Sequence, residues 1–182
     1  DIFKIKNLIM PTLQSTSAVS ANTGKNIAIE KGAQFYHASQ GLNFNIGDFT
    51  ITLLGAFPDP TNENNRSVFA MAEIDGIKFL FTGDAETDAE ALLLNQHLNL
   101  DCDVLKVAHH GSESSTHTEF LDATTPDYAV ISVGENNDYG HPNTSTIYSL
   151  KNYNAKIFRT DQSGDITFYI QNGEIKVTEE NN

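Results

Sequence analysis

Val104-Leu105-Lys106-Val107-Ala108-His109-His110-Gly111-Ser112 is an apolar run that stops on two imidazoles and a glycine. Short apolar runs bounded by turn residues read as buried strands, so a strand is expected over Val104–Ala108. Outward from it the same design repeats. Upstream, Phe79-Leu80-Phe81-Thr82-Gly83-Asp84 is an apolar strand closing on a glycine turn that presents a carboxylate. Between the two, Asp88–Leu98 carries Ala89, Leu92, Leu93 and Gln96 at helical spacing. Downstream, Thr118–Ala123 reads as a short helix and Tyr128–Val133 as a strand, followed by a loop with Tyr139-Gly140-His141-Pro142. Thr144–Tyr153 reads as a helix opened by Asn143 as N-cap, and Lys156–Arg159 as a further strand. Strand–helix–strand alternation implies a sheet covered by helices, which is the α/β class.

The remaining segments are shorter. Asn7–Met10 reads as a strand closed by Pro11, and Ser17–Glu30 has weak helical spacing interrupted by Gly24. Gln34–Ala38, Leu42–Ile46 and Phe49–Leu54 read as strands. Ser67–Ile74 and Ile77–Phe81 flank Asp75-Gly76, a two-residue loop suited to a type I′ hairpin. Asp165–Ile170 and Ile175–Val177 form a closing hairpin. No repeat and no Pro- or Gly/Ser-rich linker interrupts the 182 residues, so 1–182 reads as a single domain.

Charge narrows the function. Eleven Lys+Arg against 24 Asp+Glu give a formal charge of −13, which argues against a broad basic surface for nucleic acid. It leaves open a nucleic acid whose phosphates are met by metal ions. A hydrophobic content of 39%, with 11 Phe and 6 Tyr, is enough to close a core and argues against disorder. No apolar run approaches the ~18 residues of a membrane span, and Asp1–Met10 lacks the form of a signal peptide. Cys102 stands alone, so neither an internal disulfide nor a Cys-rich zinc site is available.

Ligands in open α/β sheets gather outside the carboxyl ends of the strands, so Asp84, the His109–His110 pair and His141 can converge on one site. Asp and neutral His suit zinc or manganese without any cysteine. Adjacent histidines on a continuing strand point to opposite faces, so only one would enter a pocket unless Gly111 lets the chain turn. His37 and His97 are given no role, and His117 reads as a solvated residue at a helix start.

Taken together, Asn64-Asn65-Arg66-Ser67, Phe79–Asp84, Val104–Ser112 with Ser115-Thr116, Pro126–Gly134, Asn137–Pro142 and Ile157–Asp161 with Gly164 resemble a known pattern. It is the metallo-β-lactamase-type domain of the ComEC competence DNA-uptake proteins. The resemblance is dense over about residues 64–168 and thin over the first 60. It implies an αββα sandwich with a metal site along one edge, a hydrolase, and two divalent ions, zinc or manganese. By that resemblance Asp84 and His109 are metal ligands and His110 and His141 catalytic groups, with either member of the histidine pair able to be the ligand. Asn65, Ser67 and Ser112 would contact substrate, and Asn64 would help to shape the pocket.

One departure qualifies this. The His-x-His-x-Asp-His run of the superfamily is absent from these 182 residues. The expectation is therefore the C-terminal portion of such a domain, with an incomplete dinuclear site, inactive by itself. The implied reaction is hydrolysis of phosphodiesters, with DNA as substrate in a competence context. Alternatives are hydrolysis of a small ester, lactone or phosphorylated metabolite on the same fold, or a non-catalytic binding or assembly module. Expected partners are DNA or a small phosphoester, the missing N-terminal half of the domain, and a second copy in a homodimer. The expected location is extracellular or at the cell surface, with the cytoplasm as the other option.

Overall fold

The structure is a computed structural model and describes residues 4–12, 19–59 and 61–180. Its centre is a seven-stranded sheet of β3 (Asn43–Ile46), β4 (Phe49–Ala56), β5 (Val68–Ile74), β6 (Ile77–Phe81), β7 (Val104–Lys106), β8 (Tyr128–Ile131) and β9 (Lys156–Arg159), adjacent in that order. From β3 to β6 the strands run as an antiparallel meander, and from β6 to β9 they are parallel. The β5–β6 turn has both central residues at positive φ (Asp75 52°, Gly76 80°), as a type I′ hairpin requires.

Parallel neighbours need crossovers, and three helices supply them: α2 (Thr87–Leu94), α3 (Thr118–Thr124) and α4 (Thr144–Asn152). Strand order advances steadily in one direction, so right-handed crossovers put all three on the same face. Packing agrees. Leu93, Phe120, Leu121 and Leu150 from the helices share one buried cluster with Leu80, Leu105, Ala129 and Ile131 from alternate strand positions. The intervening strand residues line the other face, where an aromatic group gathers around Phe168. Its ring lies 6.3 Å from Phe79, 5.8 Å from Tyr128 and 5.5 Å from Phe158. Phe168 belongs to β10 (Asp165–Gln171), which pairs antiparallel with β11 (Glu174–Glu180). A small parallel pair, β1 (Asn7–Met10) and β2 (Gln34–His37), is joined through α1 (Val19–Glu30).

Most expected elements are present, with three informative differences, at the ends of β7 and α2 and after β9. Residues 17 and 18 of the first expected helix lie outside the described residues. The strand expected to reach Ala108 stops at Lys106, whose carbonyl accepts the Thr82 hydroxyl at 2.7 Å. The helix expected to Leu98 ends at Leu94, and His97 turns at φ 53°. A short helix, α5 (Thr160–Ser163), follows β9 and was not legible in four residues. The N-cap expected at Asn143 is present: its side-chain oxygen accepts the Ser145 N–H at 3.0 Å. Cys102 is buried, and burial pushes its thiol up to about 12, which suits a small core residue rather than a reactive thiol.

Glu90 of α2 is the one carboxylate in this helical layer that is only 1% exposed. It accepts the N–H of Thr116 at 2.6 Å and of His117 at 3.2 Å, so it staples the loop after β7 to the helix before it. Burial raises its pKa, and those two N–H groups and His117 oppose the rise. Replacing Glu90 by Ala orphans both N–H groups and should lower stability by about 3 kcal/mol. Urea denaturation checks this, with a lower midpoint at unchanged slope expected and a smaller loss for Glu90→Gln.

Candidate active site

Three parallel strands deliver three loops to one rim. After β6 the chain turns at Gly83, φ +57°, where a Cβ would lie 2.7 Å from the Ser67 hydroxyl oxygen. Only glycine allows that approach, and the same Ser67 oxygen accepts the N–H of Asp84 at 2.9 Å. The Asp84 carboxylate is therefore held at the strand end by its own backbone.

After β7 the chain leaves strand geometry at once. His109 (φ 46°, ψ 46°) and His110 (φ 54°, ψ 21°) are both left-handed, an arrangement that costs on the order of 1 kcal/mol or more per residue. Strand alternation no longer applies, so both imidazoles reach the rim. Backbone bonds compensate: His109 N–H donates to Gly83 O at 3.1 Å, and Ser112 N–H to His109 O at 2.9 Å. A Cβ on Gly111 would sit 2.6 Å from Pro142 Cβ, so glycine here admits the third loop. Asn143 N–H closes that contact on Gly111 O at 2.8 Å.

The third loop is braced by Asn137. Its amide donates to His141 O at 2.7 Å, and its oxygen accepts the His141 N–H at 3.0 Å. The His141 ring meets that of His109 edge-on, 5.5 Å between centroids, while exposed Tyr139 stacks on its outer side at 6.0 Å.

The polar geometry within the rim is specific. Nδ1 of His110 lies 2.6 Å from the Ser132 carbonyl, which can only accept, so that nitrogen carries the proton. Nε2 of His110 then faces Asp84 Oδ1 at 3.6 Å, and in a neutral ring this sets a lone pair against a carboxylate. A cation or a second proton between them removes the conflict. Both side chains are nearly half exposed, so solvent ions reach them. His109 Nδ1 is buried and makes no hydrogen bond, although Glu86 Oε1 lies 3.2 Å away. Burial, and then the neighbouring His109 and His110, hold the His141 pKa below the usual histidine value.

Asp84 and His110 thus fit two adjacent positions around a divalent ion. Among the described residues no three His, Cys, Asp or Glu are grouped to hold a metal, and catalytic zinc sites use about three protein ligands. Asp84 and His110 by themselves fall short of such a set.

The other sequence-predicted residues are placed as braces. Asn65 is buried, with its amide donating to Asp59 Oδ2 at 2.9 Å and its oxygen accepting the Glu86 N–H at 3.0 Å. The Asn64 amide donates to Glu86 Oε1 at 3.0 Å, and Ser112 is buried with its hydroxyl 3.0 Å from that of Ser114. His117 sits at the start of α3, partly exposed, 3.6 Å from Glu90. The nearby cations are committed: Arg66 is buried and donates to Asp59 O at 2.6 Å, and Lys106 donates to Val107 O at 2.8 Å. Glu86 escaped the sequence reading. Its role depends on contacts with residues 62–65 and 109, which no local spacing reveals.

Over 93% of its length this chain is 34% identical to ComE operon protein 3 of Bacillus subtilis, and over 63% it is 35% identical to competence protein ComA of Neisseria gonorrhoeae. Its homologues are the ComEC-type competence proteins. The chain spans only 22% and 17% of the lengths of these two relatives. No family model matches the chain. Among solved structures, a protein named as a metal-dependent hydrolase from Parabacteroides distasonis superposes with TM-score 0.50 at 12% identity, covering 86% of this chain and 77% of that one. That likeness concerns fold alone. It agrees with the α/β class expected from the sequence. No helix among the described residues is long and apolar enough to cross a membrane.

The lowered His141 pKa has a sign that can be checked. The unfolded chain takes up this proton at higher pH than the folded one, so stability from this group is present above about 6.5 and lost as pH falls below it. An NMR titration of the ring protons should give His141 a midpoint below 6.5. A midpoint at or above that value would contradict the packing of three imidazoles described here.

Proposed function

We propose that this segment furnishes part of the active site of a metal-dependent phosphodiesterase that cleaves DNA within a ComEC-type competence protein. The observation that carries the reading is the convergence of Asp84 Oδ1 and His110 Nε2 at 3.6 Å, at the carboxyl end of a parallel sheet. Asp84 and His110, completed by donors beyond this pair, would hold a divalent ion, which lowers the pKa of bound water and polarises the phosphoryl oxygen.

The chain's own residues do the rest. Ser132 O fixes the His110 ring with Nε2 toward Asp84. His141, neutral near pH 7 because its pKa is lowered, offers one N–H and one lone pair at the rim. It can hydrogen-bond a phosphate oxygen or orient water, and it delivers a proton from a charged ring only at lower pH. Arg66 and Lys106 are spent on backbone carbonyls, so phosphate affinity falls to the metal and the imidazoles. That reconciles a substrate bearing phosphates with a chain of net charge −13. Such binding should show a shallow dependence on salt, because few protein cations displace counterions.

The test uses a full-length protein containing this segment, assayed with Mn²⁺ or Zn²⁺ on single-stranded DNA and on a lactone ester. Metal-dependent DNA cleavage is expected, with Asp84→Asn and His110→Gln each losing at least about 100-fold in kcat/KM, roughly 3 kcal/mol of transition-state stabilisation. Cleavage of the lactone alone would overturn the assignment of substrate. Metal-independent cleavage of DNA would overturn the assignment of Asp84.

A further inference from the structure

Glu86 lies two residues beyond Asp84 and is only 22% exposed. Both of its oxygens are engaged by amides. Asn62 Nδ2 donates to Oε2 at 2.9 Å and Asn64 Nδ2 to Oε1 at 3.0 Å. Its backbone N–H donates to Asn65 Oδ1 at 3.0 Å. Asn65 is anchored in turn by Asp59, which also accepts the Thr61 and Asn62 N–H groups and the Thr61 hydroxyl. Hydrogen bonds from Asn65, Thr61 and Asn62 hold the Asp59 carboxyl well below its usual range. The Glu86 carboxylate is thus clamped before anything reaches it from the sheet.

What it faces is the buried Nδ1 of His109, 3.2 Å from Oε1 and without a hydrogen bond. Two protonation patterns are possible for a neutral ring. With the proton on Nε2, a buried lone pair on Nδ1 would lie against a carboxylate oxygen, two electron-rich atoms in a site from which water is excluded. With the proton on Nδ1, the same contact is attractive, and a small rotation of the ring makes it a charge-assisted hydrogen bond. We propose that Glu86 is the positioning residue of His109: it holds the ring as the Nδ1–H tautomer and leaves the Nε2 lone pair as the nitrogen available to the site. Carboxylates that orient an imidazole from behind are a general means of fixing tautomer and raising basicity at the far nitrogen.

His109 and His110 are then matched. Each then has its Nδ1–H set toward a fixed oxygen, Glu86 Oε1 at 3.2 Å in one case and Ser132 O at 2.6 Å in the other, which leaves Nε2 as the free nitrogen of each ring. The left-handed backbone brings the two rings to one rim, and the two oxygens set which nitrogen each presents. Asn62 and Asn64 act one step further back. A carboxylate accepts only, so both amides must turn their NH2 groups to Glu86, which leaves it no freedom to swing away from His109.

This inference deepens the hydrolytic reading and rests on it only for the use to which Nε2 is put; the tautomer is measured without substrate. The chain is labelled with ¹⁵N-histidine and long-range ¹H–¹⁵N spectra are recorded above pH 8, where neutral rings dominate, with His109 assigned by its loss in His109→Gln. Wild type should show the Nδ1–H pattern. Glu86→Gln keeps size and shape but can turn an NH2 toward Nδ1, and should move His109 to the Nε2–H pattern or to a mixture. Asn64→Ala, which removes one of two clamps, should broaden or partly shift the same signals while circular dichroism stays unchanged. His110, held by Ser132 O, serves as the internal control and should keep its Nδ1–H pattern in both variants. A His109 ring in the Nε2–H form in wild type, or an Nδ1–H form unaltered by Glu86→Gln, overturns the proposal. Neither result touches the DNA assay. Loss of DNA cleavage by wild type with the tautomer as described would sink the function and leave the positioning role standing.

Discussion

The N–H of His109 donates to the carbonyl of Gly83, and through that bond the loops leaving β6 and β7 are tied at the same height above the sheet. The tie is possible because the strands are parallel and in register, with Phe81 opposite Lys106, so both exits begin at one level. An antiparallel neighbour would have sent its loop to the opposite edge. Everything chemical in this chain follows from that level start. Asp84 lies 25 residues before the His109–His110 pair in sequence, yet the carboxylate and the paired rings come to one rim. The third loop joins through Gly111 and Asn143, whose contacts with residues 142 and 111 leave no room for a side chain at the glycine.

Small polar side chains brace the strand ends and rim loops. Ser67, Thr82, Asn65, Asn137 and Thr160 each satisfy a backbone group at the end of a strand or inside a rim loop. Buried backbone polar groups need partners, and short loops cannot always find them in other backbone. These five side chains are thereby occupied. Arg66 and Lys106 likewise donate to backbone carbonyls.

Much of this was legible in the sequence, for identifiable reasons. β6 and β8 are short, mainly apolar runs between turn residues, and Asp75-Gly76 signals its hairpin with two residues tolerant of positive φ. Asn143 announced a helix start by chemistry that acts within two residues. What was not legible depends on distant contacts. The end of β7 is set by the Thr82 hydroxyl, 24 residues away, so apolar content overran it by two positions. Pattern alone left either histidine free to partner Asp84; the structure puts His110 there because Ser132 fixes its ring, and puts His109 beside Glu86. Asn65, Ser67 and Ser112 were expected, by resemblance, to contact substrate; their bonds to Asp59 and Glu86, to Asp84 and to Ser114 are distant or loop contacts that residue type does not reveal. Glu86 carried no signal of its own, since its neighbours lie more than 20 residues to either side.

Two consecutive residues in the left-handed region also set fold and function at odds at one spot. Glycine would occupy either conformation without the steric penalty that a side chain incurs, so the most restful residue for the backbone at 109 or 110 is the one that abolishes the ring. A search for hardier variants that watched only melting temperature would be drawn toward such replacements, and would arrive at a sturdier molecule with an emptied rim.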